Sequence, residues 1–196
     1  MTSSIEAIPL VPMTDAEDTS GERDVVRAAQ LDGAAFDILY RRYVTRIYRY
    51  TVLRVSDEQD ALDLTQQIFL RALAALPRYR LTDIPFGAWL FRIARNAVTD
   101  HHRRHKASVP WELVPQSLQP VSADNPESAA LRQESHDELR TLLASQDEYR
   151  RELLALRFAS GLTVREIAAI VNKPEATVKS DLRRTLLRLK GQQHED

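Results

Sequence analysis

The chain has no cysteine and only five glycines among 196 residues. The first absence excludes disulfides and any thiolate-held zinc or iron–sulfur site. The glycines stand singly, so no glycine-rich phosphate loop can be assembled. Few β-branched runs and few glycines together favour helix over sheet. No apolar run approaches the roughly 18 residues of a membrane span. The start, MTSSIEAIPLVPM, lacks a basic segment and is broken by Pro9 and Pro12, unlike a secretory signal. A cytoplasmic protein without membrane insertion is therefore expected. No Ser/His/Asp set or carboxylate pair stands out. His101 and His105 are spaced i, i+4, yet Asp100 lies on another side and nothing completes a metal site. Neither enzymatic chemistry nor a metal or cofactor is expected.

What the chain does have is segregated charge. Residues 1–33 hold 2 Lys/Arg against 7 Asp/Glu, net −5, and residues 34–107 hold 13 against 7, net +6. Residues 108–137 hold 1 against 5, net −4, and 138–196 hold 11 against 9, net +2. Two basic blocks separated by an acidic one suggest two surfaces for a polyanion.

Helical periodicity returns block by block, so an all-α chain of two small helical domains joined by a flexible linker is expected. Residues 1–22 read as a disordered acidic tail. A short helix is expected over Arg23–Leu31, stopped by Gly33, and a longer one from Ala34 to about Arg54 with Phe36, Leu39, Tyr40, Tyr43, Ile47 and Tyr50 inward. Ser56 and Gln59 form a capping-box pattern opening a helix to about Leu76. That helix has apolar residues on more than one side and a polar strip of Asp60, Asp63, Gln66 and Gln67, suited either to a protein partner or to solvent. A proline-bracketed loop, Pro77–Pro85, carries Arg78, Tyr79 and Arg80, and Thr82 or Asp83 can cap the next helix. In Phe86–Lys106 the residues Phe86, Trp89, Leu90, Ile93, Ala94, Ala97 and Val98 make the inner stripe. Arg92, Asn96, Thr99 and Arg103 make the opposite face, where the first, second and last can reach phosphate or base edges.

The first domain thus spans 23–107 and the linker 108–137, which is rich in proline and contains Trp111. In the second domain, 138–196, Ser145–Glu148 and Thr163–Glu166 read as capping boxes. Asn172-Lys173-Pro174 makes a tight turn into a last helix over Glu175–Lys190, with Val178, Leu182, Leu186 and Leu189 inward. A short capped helix, a three-residue turn and a longer basic helix make a helix-turn-helix, exposing Thr177, Lys179, Ser180, Arg183 and Arg184 to DNA. A stand-alone helix-turn-helix regulator and a protein-binding adaptor are the competing readings.

The blocks FDILYRRYVTRIYRY, DALDLTQQIFLRALAALPRY, FGAWLFRIARNAVTDHHRRHK and LLALRFASGLTVREIAAIVNKPEATVKSDLRR resemble the two domains of extracytoplasmic-function (ECF) sigma factors of bacterial RNA polymerase. The resemblance implies a factor that binds core polymerase and opens promoters. Asp60, Asp63, Gln66 and Gln67 would grip the β′ clamp helices, and the second domain would sit by the β flap. Arg78, Tyr79, Arg80, Arg92, Asn96 and Arg103 would recognise and melt the −10 element, with a flipped base held by the loop. Thr177, Lys179, Ser180, Arg183 and Arg184 would read the −35 element, and the acidic linker would thread towards the RNA exit path. An anti-sigma protein is an expected further partner. Gln67, Asn172 and Asp181 depart from the family pattern, and an acid at 181 would repel a nearby phosphate.

Overall fold

The computed structural model describes residues 19–55, 57–105 and 146–192. Among them every regular element is helical: α1 (Thr19–Leu31), α2 (Phe36–Arg54), α3 (Glu58–Ala75), α4 (Phe86–His105), α5 (Glu148–Leu154), α6 (Val164–Val171) and α7 (Glu175–Gln192). Short 3₁₀ turns precede α2 and follow α3, and a π turn, Ala155–Ala159, extends α5. The tail 1–18, Ser56, Lys106, the 108–137 linker with Trp111, and Ser145 lie outside the described residues.

Helix α4 is covered on several sides, touching α1, α2, α3 and α6, and α2 is likewise packed on α1, α3, α4 and the Ala155–Ala159 turn. Its buried apolar side chains are Phe86, Ala88, Leu90, Phe91, Ala94, Ala97 and Val98, those of Leu or Phe size contributing about 1.5–3 kcal/mol each, and His101 is buried near its end. Trp89 and Ile93, expected inward, are only half-buried. Phe91, outside the expected stripe, is fully buried edge-to-face on Tyr50, with ring centroids 5.8 Å apart. A helix covered on several sides cannot show a single clean stripe.

Several helix ends differ from expectation for local reasons. Helix α1 starts four residues before Arg23 because its first turn is anchored: Glu22 is buried, accepts the Tyr43 hydroxyl and lies 3.8 Å from Arg42. Gly33 is not a left-handed cap; Asp32 turns extended and its carboxylate caps the 3₁₀ turn through Ala34 N–H, 2.9 Å. Asp57, not Ser56, caps α3, accepting from Asp60 N–H at 3.0 Å, and Asp147 caps α5 through Arg150 N–H at 2.9 Å. Thr82 accepts Ile84 N–H within the loop, and Asp83 faces Arg23, so neither serves α4 as expected. Tyr40 sits at the rim against Phe69, whereas Phe36, Leu39, Tyr43, Ile47 and Tyr50 form the buried stripe of α2.

Candidate nucleic-acid interface

The helix-turn-helix is built as its sequence pattern requires. Thr163 Oγ1 accepts Glu166 N–H at 3.2 Å while Glu166 Oε2 takes Thr163 N–H at 2.8 Å, a reciprocal box that starts α6. Asn172 ends α6 in the left-handed region (φ 54°, ψ 51°), and Lys173 N–H returns to Ala168 O at 3.1 Å. Ile167, Ile170 and Val171 of α6 are buried, as are Val178 and Leu182 of α7, which fixes the rotation of α7. Lys179, Ser180, Arg183 and Arg184 are then exposed and Thr177 half-exposed. Leu186, expected inward, is exposed; the inward position belongs to Thr185, which is fully buried because its hydroxyl is satisfied by Asp181 O, 2.8 Å.

Asp181 faces the domain interior. Its side chain is 22% exposed and accepts the Tyr149 hydroxyl at 3.1 Å, with Arg184 3.5 Å away. Lys173 Nζ stands 3.7 Å from the centroid of the Tyr149 ring, so turn, α5 and α7 converge on this cluster. An acid held this way is directed at α5, away from the Lys179–Arg183 face.

In the first domain the loop before α4 exposes Arg78 and Arg80. Tyr79 is half-buried, its ring 4.6 Å from Trp89 and 5.7 Å from Phe86, and burial raises its hydroxyl pKa. Gly87 lets this cluster close: a Cβ there would meet Tyr43 Oη at 2.8 Å. On α4, Asn96 and Arg103 are exposed, and Arg103 pairs with Asp100 at 3.2 Å. Arg92 instead donates to Ala169 O of α6 at 3.2 Å. On α3, Asp63, Gln66 and Gln67 are exposed and Asp60 is half-buried, 3.6 Å from His101. Between them the same surface shows Leu62, Leu70 (66% exposed) and Leu73. These leucines have no assigned role in the sequence pattern, although apolar residues on a second side of α3 are its signal. Among the described residues no cluster of three or more His, Asp or Glu could hold a metal, and no helix is long and apolar enough to cross a membrane.

Profiles of Sigma-70 region 2 and Sigma-70 region 4 match residues 39–108 and 136–189. The ECF RNA polymerase sigma factor SigM of Bacillus subtilis is 30% identical over 155 residues, 79% of this chain and 93% of SigM. This chain is an ECF sigma factor. BldN of Streptomyces coelicolor, another ECF sigma factor, is 32% identical over 86% of this chain, which spans 64% of BldN's length. CnrH, solved in complex with the cytosolic domain of CnrY, shares the fold (TM-score 0.70, 24% identity, 89% of this chain and 98% of CnrH). Sigma factors direct promoter-specific transcription by RNA polymerase.

In this sigma factor the two domains pack directly on each other. Arg46 Nε donates to Ser160 O at 2.8 Å, and Tyr50 Oη donates to Glu152 at 2.8 Å. Arg54, whose side chain is 2% exposed, bonds Glu148 and lies 3.2 Å from Glu152, itself 6% exposed. Arg95 approaches Glu152 at 3.9 Å. Burial pushes Tyr50 up, reinforced by the Glu152 charge. Burial also lifts Glu152 against the pull of Arg54. For Arg54 burial acts downward, but Glu152, Tyr50 and Glu148 outweigh it and hold the cation. A cleft of about 470 Å³ at this boundary is lined by Ile84 and Pro85 of the loop and by Arg165, Glu166, Lys173 and Glu175 of the helix-turn-helix. The sequence pattern signals none of these pairings, since partners about a hundred residues apart leave no periodic trace.

Proposed function

We propose that the first domain recognises and opens the −10 element and the second reads the −35 element, on core RNA polymerase in the cytoplasm. The observation that carries this reading is the exposed row Lys179, Ser180, Arg183 and Arg184 on the second helix of a completed helix-turn-helix, with a second basic surface on α4 and its loop. Arg183, Lys179 and Ser180, with Thr177 and Arg184 flanking, enter the major groove. Arg78, Arg80, Asn96 and Arg103 track the backbone of the opened strand, and the loop captures one unstacked base. Tyr79 serves by holding that loop against Trp89. Asp60, Asp63, Gln66 and Gln67, joined by the exposed leucines of α3, dock on the β′ clamp helices, and the second domain docks on the β flap. The factor contributes binding and strand separation, not covalent catalysis. An anti-sigma protein is a further partner, in keeping with the protein complex in which CnrH was solved.

The closed packing sets a condition on this mechanism. Arg92 is committed to Ala169, and Arg95 faces Glu152, so α4 is not free. Elements about 25 base pairs apart lie about 85 Å apart along B-DNA, too far for two domains in contact. The domains therefore separate when the factor engages polymerase and promoter. Run-off transcription with core enzyme on cognate templates tests the reading. Promoter-dependent product is expected, with Arg183→Ala weakening −35 recognition and Asp63→Ala weakening core binding. Equal loss of both properties in each variant, or no product on any template, refutes it.

A further inference from the structure

Helix α1 lies outside the matched Sigma-70 region 2, which begins at residue 39. It is nonetheless firmly seated: Val26 and Ala29 are buried in the core and Glu22 is bonded to Tyr43. From that seat it reaches the loop before α4 in two places. The Gln30 amide donates both to Leu76 O at 3.1 Å and to Tyr79 O at 2.7 Å, carbonyls at the end of α3 and the start of the loop. Leu76 O also accepts Tyr79 N–H at 3.0 Å, so the Gln30 amide, which has two hydrogens to give, ties the turn and the loop start together through two carbonyls. At the far side Arg23 donates to Thr82 O at 2.9 Å, with Asp83 at 3.9 Å. Between these ties lie Arg80 and Leu81, a span kept short at both ends.

We propose that Gln30 and Arg23 are positioning residues for promoter opening: α1 braces the loop in the conformation that receives the unstacked base. This rests on the reading of that loop as the base-capturing element. A loop ordered beforehand loses less conformational entropy when the base enters, so its preference for that base is stronger. Removing two hydrogen bonds of ordinary strength weakens the preference roughly tenfold.

The test uses holoenzyme reconstituted from core polymerase and full-length factor. The probe is a nontemplate −10 strand selected by wild-type holoenzyme from a randomised pool, and the same strand made abasic at each position in turn. Wild-type affinity should fall at one position when the base is removed. In Gln30→Met that intact-to-abasic ratio should shrink roughly tenfold, with affinity for the abasic strand and for core polymerase unchanged. Arg23→Met, changed at an exposed side chain, should shrink it in the same sense and guards against a folding defect in the first variant. An unchanged ratio in both variants overturns the proposal, as does an equal drop on intact and abasic strands, which marks plain destabilisation. A wild type with no base-dependent position fails differently: it removes the base-capturing loop itself, and the brace with it.

Discussion

Replacing Arg54 by methionine should open the molecule without unfolding either domain. The guanidinium is 2% exposed and is the principal counter-charge to Glu152, which is 6% exposed. With Arg54 gone, the Glu152 carboxylate keeps only the Tyr50 hydroxyl and a distant Arg95, 3.9 Å away. Breaking a buried pair by removing one partner costs about 3–5 kcal/mol. The exposed Glu148 arm adds little. At about 1.4 kcal/mol per decade, the closed form loses about two to almost four powers of ten in population. The chain has no cysteine, so Ala74→Cys and Leu187→Cys accept a dye pair without background labelling. Energy transfer should collapse in Arg54→Met while helical circular dichroism stays. Arg54→Met combined with Glu152→Met should restore most of the transfer, because an apolar pair of similar volume removes the stranded charge. If the single variant stays closed, the charge cluster does not hold the domains together.

Three further outcomes rest on local geometry. Gly87→Ala drives a Cβ into Tyr43, whose hydroxyl is already fixed by Glu22, and should cost about 1–3 kcal/mol, seen as a lowered Tm. Thr163→Ala dismantles the capping box of α6 and should cost about 1 kcal/mol in denaturant unfolding, with a neutral result refuting the box. The Tyr43 and Tyr50 hydroxyls are both pushed above their ordinary value, by burial first and by Glu22 and Glu152 next. Raised pKa values mean stability that is present below pH about 10 and lost as pH rises beyond it. Absorbance at 295 nm should show these two phenols ionising only together with unfolding; a smooth titration in the folded state would falsify their burial.

Periodicity makes α6 legible and most of the stripes of α2 and α7, though α2 is also covered by the second domain and Thr185 takes the place of Leu186, and the Thr163 box and Asn172 turn are local chemistry read within four residues. Phe91, Arg92 and Arg95 were harder to place, since α4 is covered on sides a stripe leaves to solvent. Asp181 shows the same limit in small: an acid on a helix expected to read DNA looks repulsive until Tyr149, 32 residues away, is seen to bind it. Gln30 carries no signal of its own, for its partners are backbone carbonyls available to any sequence.

The Arg54–Glu152–Tyr50 cluster also acts as a concentration threshold. Any partner that needs the domains apart binds only the open fraction, so its apparent dissociation constant is the intrinsic one divided by that fraction. An open population of about one in a hundred makes every such partner look about a hundredfold weaker, and under the proposed mechanism polymerase and promoter are both such partners. The same number links them: whichever arrives first hands the other an already opened molecule, a cooperativity that requires no contact between the two.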